Sequence, residues 1–434
     1  MNKSMLKYAI LTALTLLPIT AAKAADLFDE LDSATVEDNQ DLQAEFAQYK
    51  AQHEKEAAEY IQKFNEEFAQ FKKINAEETA KFQSRVAKVW DKPEMSSAKV
   101  WVEYSKDMST KNSVDFEKGV IQIATTSEQH QSVSKQALRT QLKALLTKNQ
   151  AQAFQDDEVA QAVEKKTKSS LTLVESAEVK PTPILMPLVA DKKNPSDSEV
   201  DKIVDTLIQH KTEKVETNKS GQKVVIVQIP LDTDQPSNVP DEKPRKSKVM
   251  ADLRVNKMPK GAREVAPNVS VYAKKVGVDE TLVFAIIETE SAFNPMAKSP
   301  VPAYGLMQIV PSSAGADATE KLFGQPRILS PSYLYASEKN IEVGTAYINI
   351  LQTRYLKKIE DPLSRLYCSI AAYNTGAGNV AKAFTGNFKI HQAVPIINKM
   401  TPQQVYDYLI KNLPYEETRH YLERVVSRMP KYSA

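Results

Sequence analysis

Apolar positions recur along this chain in three rhythms, and each predicts a different kind of element. From about residue 36 to 90 Gln, Glu, Lys and Ala dominate and neither Gly nor Pro occurs. Within that stretch Tyr60, Phe64, Phe68, Phe71 and Ile74 follow at steps of four and three. That spacing puts one apolar stripe along a long amphipathic helix, assigned with its lead-in to residues 25–90. Continuing the heptad brings Glu78, Lys81 and Arg85 into the seam, which argues against an extended coiled coil. The helix suits either a spacer or docking arm, or an element packed on its own chain.

Between 91 and 260 the rhythm becomes mixed. Val120-Ile121-Gln122-Ile123-Ala124 alternates after Gly119 as a strand does, Lys135 to Leu146 and Ser198 to His210 read as helices, and Lys223 to Pro230 is a β-branched strand. Lys248 to Met258 is expected to return beside that last strand. Residues 150–195 show little periodicity and read as an irregular insertion; Asp232 to Ser247, with three prolines, reads as a polar loop. This is a small α/β domain. From residue 261 the pattern is helical and punctuated by nine of the chain's 11 glycines. Asp361-Pro362 and Thr401-Pro402-Gln403-Gln404 carry helix-start chemistry, so 261–434 is an all-helical domain and the chain as a whole is α+β.

One stretch of the third region stands out. Asp279 is a suitable N-cap, Leu282 to Ile287 is apolar, and Pro295 blocks continuation. At about 100° per residue, Leu282, Ile286, Val283 and Ile287 span one arc. Glu290 falls in its middle and Glu288 well outside it. A carboxyl facing an apolar wall resists ionisation, and a carboxylic acid still protonated near neutral pH is what general-acid catalysis needs.

Composition narrows the partners. The chain has 434 residues and a net charge of only +2, which argues against nucleic acid as a partner. Lys3 and Lys7 precede an apolar run from Tyr8 to Ile19, and Ala22-Lys23-Ala24 fits a peptidase site. Residues 1–24 therefore read as a cleavable secretory signal peptide. The alternative, a retained anchor, is disfavoured by a run short for a span. Cys368, the single cysteine, lies in an apolar helical run and reads as a buried thiol; no Cys follows the signal region, so no lipid anchor is evident. The histidines are isolated, so neither metal nor cofactor is expected.

Three motifs stand in order: Glu290-Ser291-Ala292-Phe293-Asn294-Pro295 with Ser299, then Gly305-Leu306-Met307-Gln308, then Ala372-Tyr373-Asn374-Thr375-Gly376-Ala377-Gly378. Together they closely resemble the family-1 lytic transglycosylases, whose catalytic domain is goose-lysozyme-like. Upstream, Val86-Ala87-Lys88-Val89-Trp90 and Asn112-Ser113-Val114-Asp115-Phe116 resemble the N-terminal domain of the C-type membrane-bound members. The resemblance implies a lysozyme-like domain over 261–434 and action on peptidoglycan glycan strands in the periplasm. It implies that Glu290 is the catalytic acid, that Ser299 contacts the acid and an N-acetyl group, and that Met307 and Gln308 line the saccharide. It further implies that Tyr373 hydrogen-bonds the acid and that Asn374 shapes the cleft. Each has a plainer reading beside it: a loop cap for Ser299, core for Met307, and a helix end for Asn374.

Glycosidases usually employ two carboxylates about 5 to 10 Å apart. No second acidic residue lies within the motifs, although Asp317 and Glu417 stay open. The resemblance implies substrate assistance instead: Glu290 protonates the glycosidic oxygen, then takes the proton of the muramic C6 hydroxyl, which closes a 1,6-anhydro ring. A goose-type hydrolase and a catalytically silent peptidoglycan-binding protein are the rival readings. Cell-wall enzyme partners acting through the N-terminal region are compatible with any of the three. Pro302-Ala303-Tyr304 departs from the small residues common before Gly-Leu-Met-Gln, and Tyr304 is expected to narrow a subsite or stack on a sugar.

Overall fold

A computed structural model describes residues 40–127, 134–190, 192, 194–219, 221–231 and 258–433. The expected signal peptide, residues 25–39, the polar loop 232–247 and the return strand over 248–257 lie outside the described residues. The first helix, α1, spans Gln40–Val86. Its stripe is buried where it meets the rest of the chain: Phe64, Phe68 and Phe71 pack on Val159, Val163, Leu171, Leu173, Ala316 and Ile328. The Tyr60 hydroxyl donates to the Pro326 carbonyl at 2.7 Å. Ahead of Tyr60, residues from Ala47 onward are exposed or partly exposed. Own-chain packing thus describes the C-terminal half of this helix.

A five-stranded antiparallel sheet follows. Strands β1 (Val100–Tyr104), β2 (Thr110–Asp115) and β3 (Val120–Ser127) form a meander. Next come helices α2 (Lys135–Thr147), α3 (Gln150–Asp156) and α4 (Glu158–Ser170), strand β4 (Val174–Glu175), and helices α5 (Met186–Val189) and α6 (Asp197–Gln209). Strands β5 (Thr212–Thr217) and β6 (Lys223–Pro230) complete the order β1-β2-β3-β6-β5. The two-residue period sorts the faces. Ile121, Ile123, Val225, Val227 and Ile229 meet α2 and α6, whereas Ala124, Val224 and Ile226 pack with Val86, Trp90 and Met108 on the other side.

Two expectations need correction here. Residues 150–195 are not an irregular insertion, since they hold α3, α4, β4 and α5. The inward stripe of α4 begins as Val159, Ala160 and Val163 but continues as buried Glu164 and Thr167, so its apolar period breaks. Glu164 is satisfied there by the Ser332 amide (3.0 Å) and hydroxyl (2.7 Å) and by Lys168 (2.9 Å). The neighbour of β6 on its outer side is β5, whose six residues are all exposed; a charged edge strand discourages further pairing and leaves no alternation to read.

The remainder is helical: α7 (Lys260–Val276), α8 (Glu280–Ser291), α9 (Ala314–Phe323), a short strand β7 (Ile328–Leu329), α10 (Pro331–Tyr335) and α11 (Ser337–Ile350), which runs into a π turn at Leu351–Tyr355. Then come α12 (Pro362–Thr375), α13 (Ala377–Thr385), α14 (Ile390–Ile397), α15 (Pro402–Asn412), α16 (Glu416–Arg428) and a terminal 3₁₀ turn at Met429–Tyr432. The Asp361 and Thr401 caps form as their chemistry predicts. Strand β7 pairs in parallel with β4, and one contiguous core joins Ile121, Val227 and Leu185 to Val265, Leu282 and Ile286. The architecture is α+β.

Candidate active site

Helix α8 starts where expected, with the Asp279 carboxylate accepting from the Thr281 amide at 2.8 Å. It stops four residues before Pro295, because Ala292 (φ 51°) and Phe293 (φ 65°) turn left-handed. Such conformations are costly for side chains with a Cβ and persist only where the surroundings impose them. Gly261 is one such surrounding: a Cβ there would lie 2.9 Å from that of Phe293. The turn leaves Glu290 at the end of a helix whose other face is core.

The second motif is laced to this helix end. The Ser291 hydroxyl donates to the Leu306 carbonyl at 2.8 Å. Asn340, fully buried on α11, donates to the carbonyls of Tyr304 (2.8 Å) and Leu334 (2.9 Å) and accepts from the Met307 amide (2.8 Å). Gly305 (φ 72°) sits in this clamp, and any Cβ would meet the Leu334 carbonyl oxygen at 2.3 Å. Gln308 is left-handed too (φ 46°), with its side-chain amide donating to the Gly305 carbonyl at 3.0 Å.

Glu290 remains partly exposed, yet burial of its carboxyl pushes its pKa up to about 7. The Tyr421 hydroxyl on α16 opposes the rise by favouring the charged form. The Glu417 carboxylate reinforces it, and the Arg424 and Lys99 cations pull it down. Tyr421 is buried, and its hydroxyl meets no partner with full hydrogen-bond geometry, Glu290 included. Glu288, on another face of α8, is held below the usual carboxylate range despite burial, by Lys431 (2.8 Å), Tyr432 (2.5 Å) and Arg428. Near neutral pH Glu288 is therefore ionised while Glu290 keeps its proton in roughly half of the molecules, which suits Glu290, of the two, to donate a proton.

The expected supporting residues divide. Tyr373 on α12 lies in the electrostatic reach of Glu290, but its hydroxyl donates to the Met307 carbonyl at 2.9 Å, so the tyrosine hydroxyl turned to the acid is that of Tyr421. Met307 is fully buried with its thioether against Gly344. It packs in the core, as the plainer of its two readings has it. Tyr304 is fully buried and donates to Asn75 of α1 at 3.0 Å, so it neither narrows a subsite nor stacks on a sugar. Ser299 donates to the Val301 carbonyl and accepts from the Ala303 amide at 3.3 Å, the loop-cap geometry. It also lines a cavity of about 200 Å³ between α1, β1, α4 and the Met296–Pro300 loop, whose lining includes Lys298 but not Glu290. Asn374 accepts from the Thr418 hydroxyl at 2.7 Å, joining the end of α12 to α16. Of the carboxylates left open, Glu417 is exposed within reach of Glu290, while Asp317 is bound by Tyr355 at 3.0 Å. Sequence reasoning missed Tyr421, Asn340, Arg424 and Lys99. Only the helical spacing Glu417-Tyr421-Arg424, which shares one face, offered a signal.

Residues 267–393 match the family model described as the transglycosylase SLT domain. That segment is similar to a transglycosylase SLT domain. Residues 62–239 match the N-terminal domain of membrane-bound lytic murein transglycosylase C, so the two matches divide the sheet unit from the helical one. Curated relatives bearing that name include those of Pectobacterium atrosepticum (43% identical over 186 residues, 42% of this chain and 51% of that one) and Serratia proteamaculans (44%, with the same shares). The chain thus spans about half the length of the curated relatives it matches. Among solved structures it is similar to the 70 kDa soluble lytic transglycosylase of Escherichia coli, 26% identical over 40% of this chain and 25% of that one, with a TM-score of 0.30. Among the described residues no helix is long and apolar enough to cross a membrane.

Proposed function

We propose that this chain is a lytic transglycosylase that cleaves the MurNAc-GlcNAc β-1,4 bond of peptidoglycan and releases 1,6-anhydro-MurNAc ends, acting in the periplasm after export by its signal peptide. The observation that carries the reading is Glu290, an acid with a pKa near 7 at the end of α8, inside the SLT domain. In this mechanism the Glu290 carboxyl gives its proton to the glycosidic oxygen, and GlcNAc leaves with a free C4 hydroxyl. The Glu290 carboxylate then takes the C6 hydroxyl proton of MurNAc, whose oxygen closes on C1. The acid is regenerated and no water is consumed. The Tyr421 hydroxyl steadies the carboxylate between the two steps.

Exposed Glu417 supports a second reading, a hydrolase in which that carboxylate activates a water. Digestion of purified sacculi with mass analysis of the products tests both. Anhydro ends, lighter than reducing ends by one water, are expected; reducing ends alone would favour hydrolysis. Glu290→Gln is expected to lower turnover by at least about 10³-fold with folding and strand binding retained, and substantial residual turnover would remove Glu290 from its role.

A further inference from the structure

Where α1 and the start of β1 meet the loop that follows α8, the joint encloses a cavity of about 200 Å³. Sites for drug-sized ligands run from about 300 to 1,000 Å³, so an occupant here is smaller. Most of the charge in the lining is already matched. Glu94 pairs with Lys111, Glu103 (2.7 Å) and Asp156 (2.9 Å) share Lys148, and Glu158 pairs with Arg85. Two charged groups of the lining are left over, Lys298 and Asp157.

Lys298 is presented from a pinned backbone, since its amide donates to the Ser97 carbonyl at 3.3 Å and it bridges to Tyr304. Its Nζ lies 5.7 Å from the centroid of the Tyr304 ring and makes no ion pair or hydrogen bond among the described residues. Burial lowers its pKa from the ordinary lysine value, and the Asp157 carboxylate opposes that fall. An ammonium withdrawn from water with no counterion bonded to it is costly to hold. Asp157 caps α4: its Oδ1 accepts from the Ala160 amide at 2.9 Å, while its Oδ2 meets the Tyr335 hydroxyl at 3.5 Å. No cation pairs with it among the described residues. The Thr79 hydroxyl, buried in the same lining, has no partner either. The apolar walls are made by Phe82, Trp101 and Tyr104. Opposite charges that share a small cavity without pairing are both completed by a ligand that carries a carboxylate and an ammonium close together.

We propose that this cavity binds the zwitterion of a small α-amino acid with an apolar side chain, its carboxylate on Lys298 and its ammonium on Asp157. The side chain of the ligand lies against Phe82, Trp101 and Tyr104. Glu290 is not part of the lining, so the proposal stands apart from the transglycosylase reading.

The full chain is titrated by calorimetry with leucine and phenylalanine, each as the L and the D enantiomer. Saturable binding at or below about 1 mM is expected for at least one of the four. N-acetylation of that amino acid removes its ammonium and amidation removes its carboxylate; each is expected to weaken binding at least about tenfold, as for loss of a charge-assisted hydrogen bond. Asp157→Asn keeps a good helix cap and is expected to cost the free amino acid the same factor while leaving the N-acetyl derivative unchanged. Lys298→Met is expected to do likewise, leaving the amide derivative unchanged. A side chain that merely supported the fold would weaken every ligand alike. Should Lys298→Met fail to fold, the Asp157→Asn comparison decides alone. Absence of saturable binding below about 10 mM for all four, equal binding of the free and N-acetylated ligand, or uniform weakening of all ligands by Asp157→Asn would each overturn the proposal.

Discussion

At the scale of single residues, the decisive quantity is the free energy of ionising Glu290. Its folded pKa, about 7, lies above the ordinary glutamate value of 4.5. Between these values the folded protein binds the extra proton, so stability falls as pH rises through that window and stays lower above it. Glu290→Gln removes the ionisation and with it the loss. Urea denaturation is expected to show the variant stabilised by about 1 to 3 kcal/mol at pH 8, a figure discounted for partial exposure, and unchanged at pH 4. An equal gain at both pH values would mean that the carboxyl is not held protonated. The direction of this shift was legible from the wheel position of Glu290 between Ile286 and Val283. The partner of the carboxyl was not, because Tyr421 stands 131 positions away on another helix and Tyr373, in the nearer motif, spends its hydroxyl on Met307. Nor did the sequence signal that Ala292, Phe293 and Gln308 would be left-handed. Strain of that kind is imposed by Gly261 and Asn340, which only the fold brings near.

At the scale of elements, periodicity located most helices and strands but not what they touch. The stripe on α1 was legible. Its fitting against α4 and α9 was not, because the complementary stripe on α4 is half polar, with Glu164 and Thr167 buried in it. The same blindness hid β5, which has no inward residue to alternate. The stack of Phe64, Phe68 and Phe71, with ring centroids 6.5 and 6.1 Å apart, anchors α1, and Phe71 is wholly buried. Phe71→Ala is expected to cost about 3 to 5 kcal/mol, read as a lower urea midpoint and earlier proteolytic cutting within α1. Ile61→Ala, at an exposed position on the same helix, is expected to change stability by less than about 0.5 kcal/mol. Matching effects of the two would mean that the helix is not seated as described.

At the scale of the whole molecule, two matched segments meet over one core. Residues of the sheet, of α5 and of α7 and α8 belong to a single contiguous apolar cluster. The joint is further sewn by β4 with β7, by Tyr304 with Asn75, and by Asn294 with Ala98. Sequence composition suggested a division near residue 260, where glycines begin to accumulate, and the two family matches divide the chain in the same neighbourhood. A change of texture marks where one kind of element gives way to another, whereas cooperativity depends on surface buried between them. Separating the halves would expose Met258, Val265 and Leu185, all now buried, at about 25 cal/mol for each Å² of apolar surface. Scanning calorimetry of the full chain is therefore expected to give one transition over residues 40–433, with calorimetric and van't Hoff enthalpies in agreement. The helical segment from residue 258 onward, expressed alone, is expected to melt at least about 10 °C lower. Two separated transitions in the full chain would show instead that the sheet unit and the helical unit fold independently.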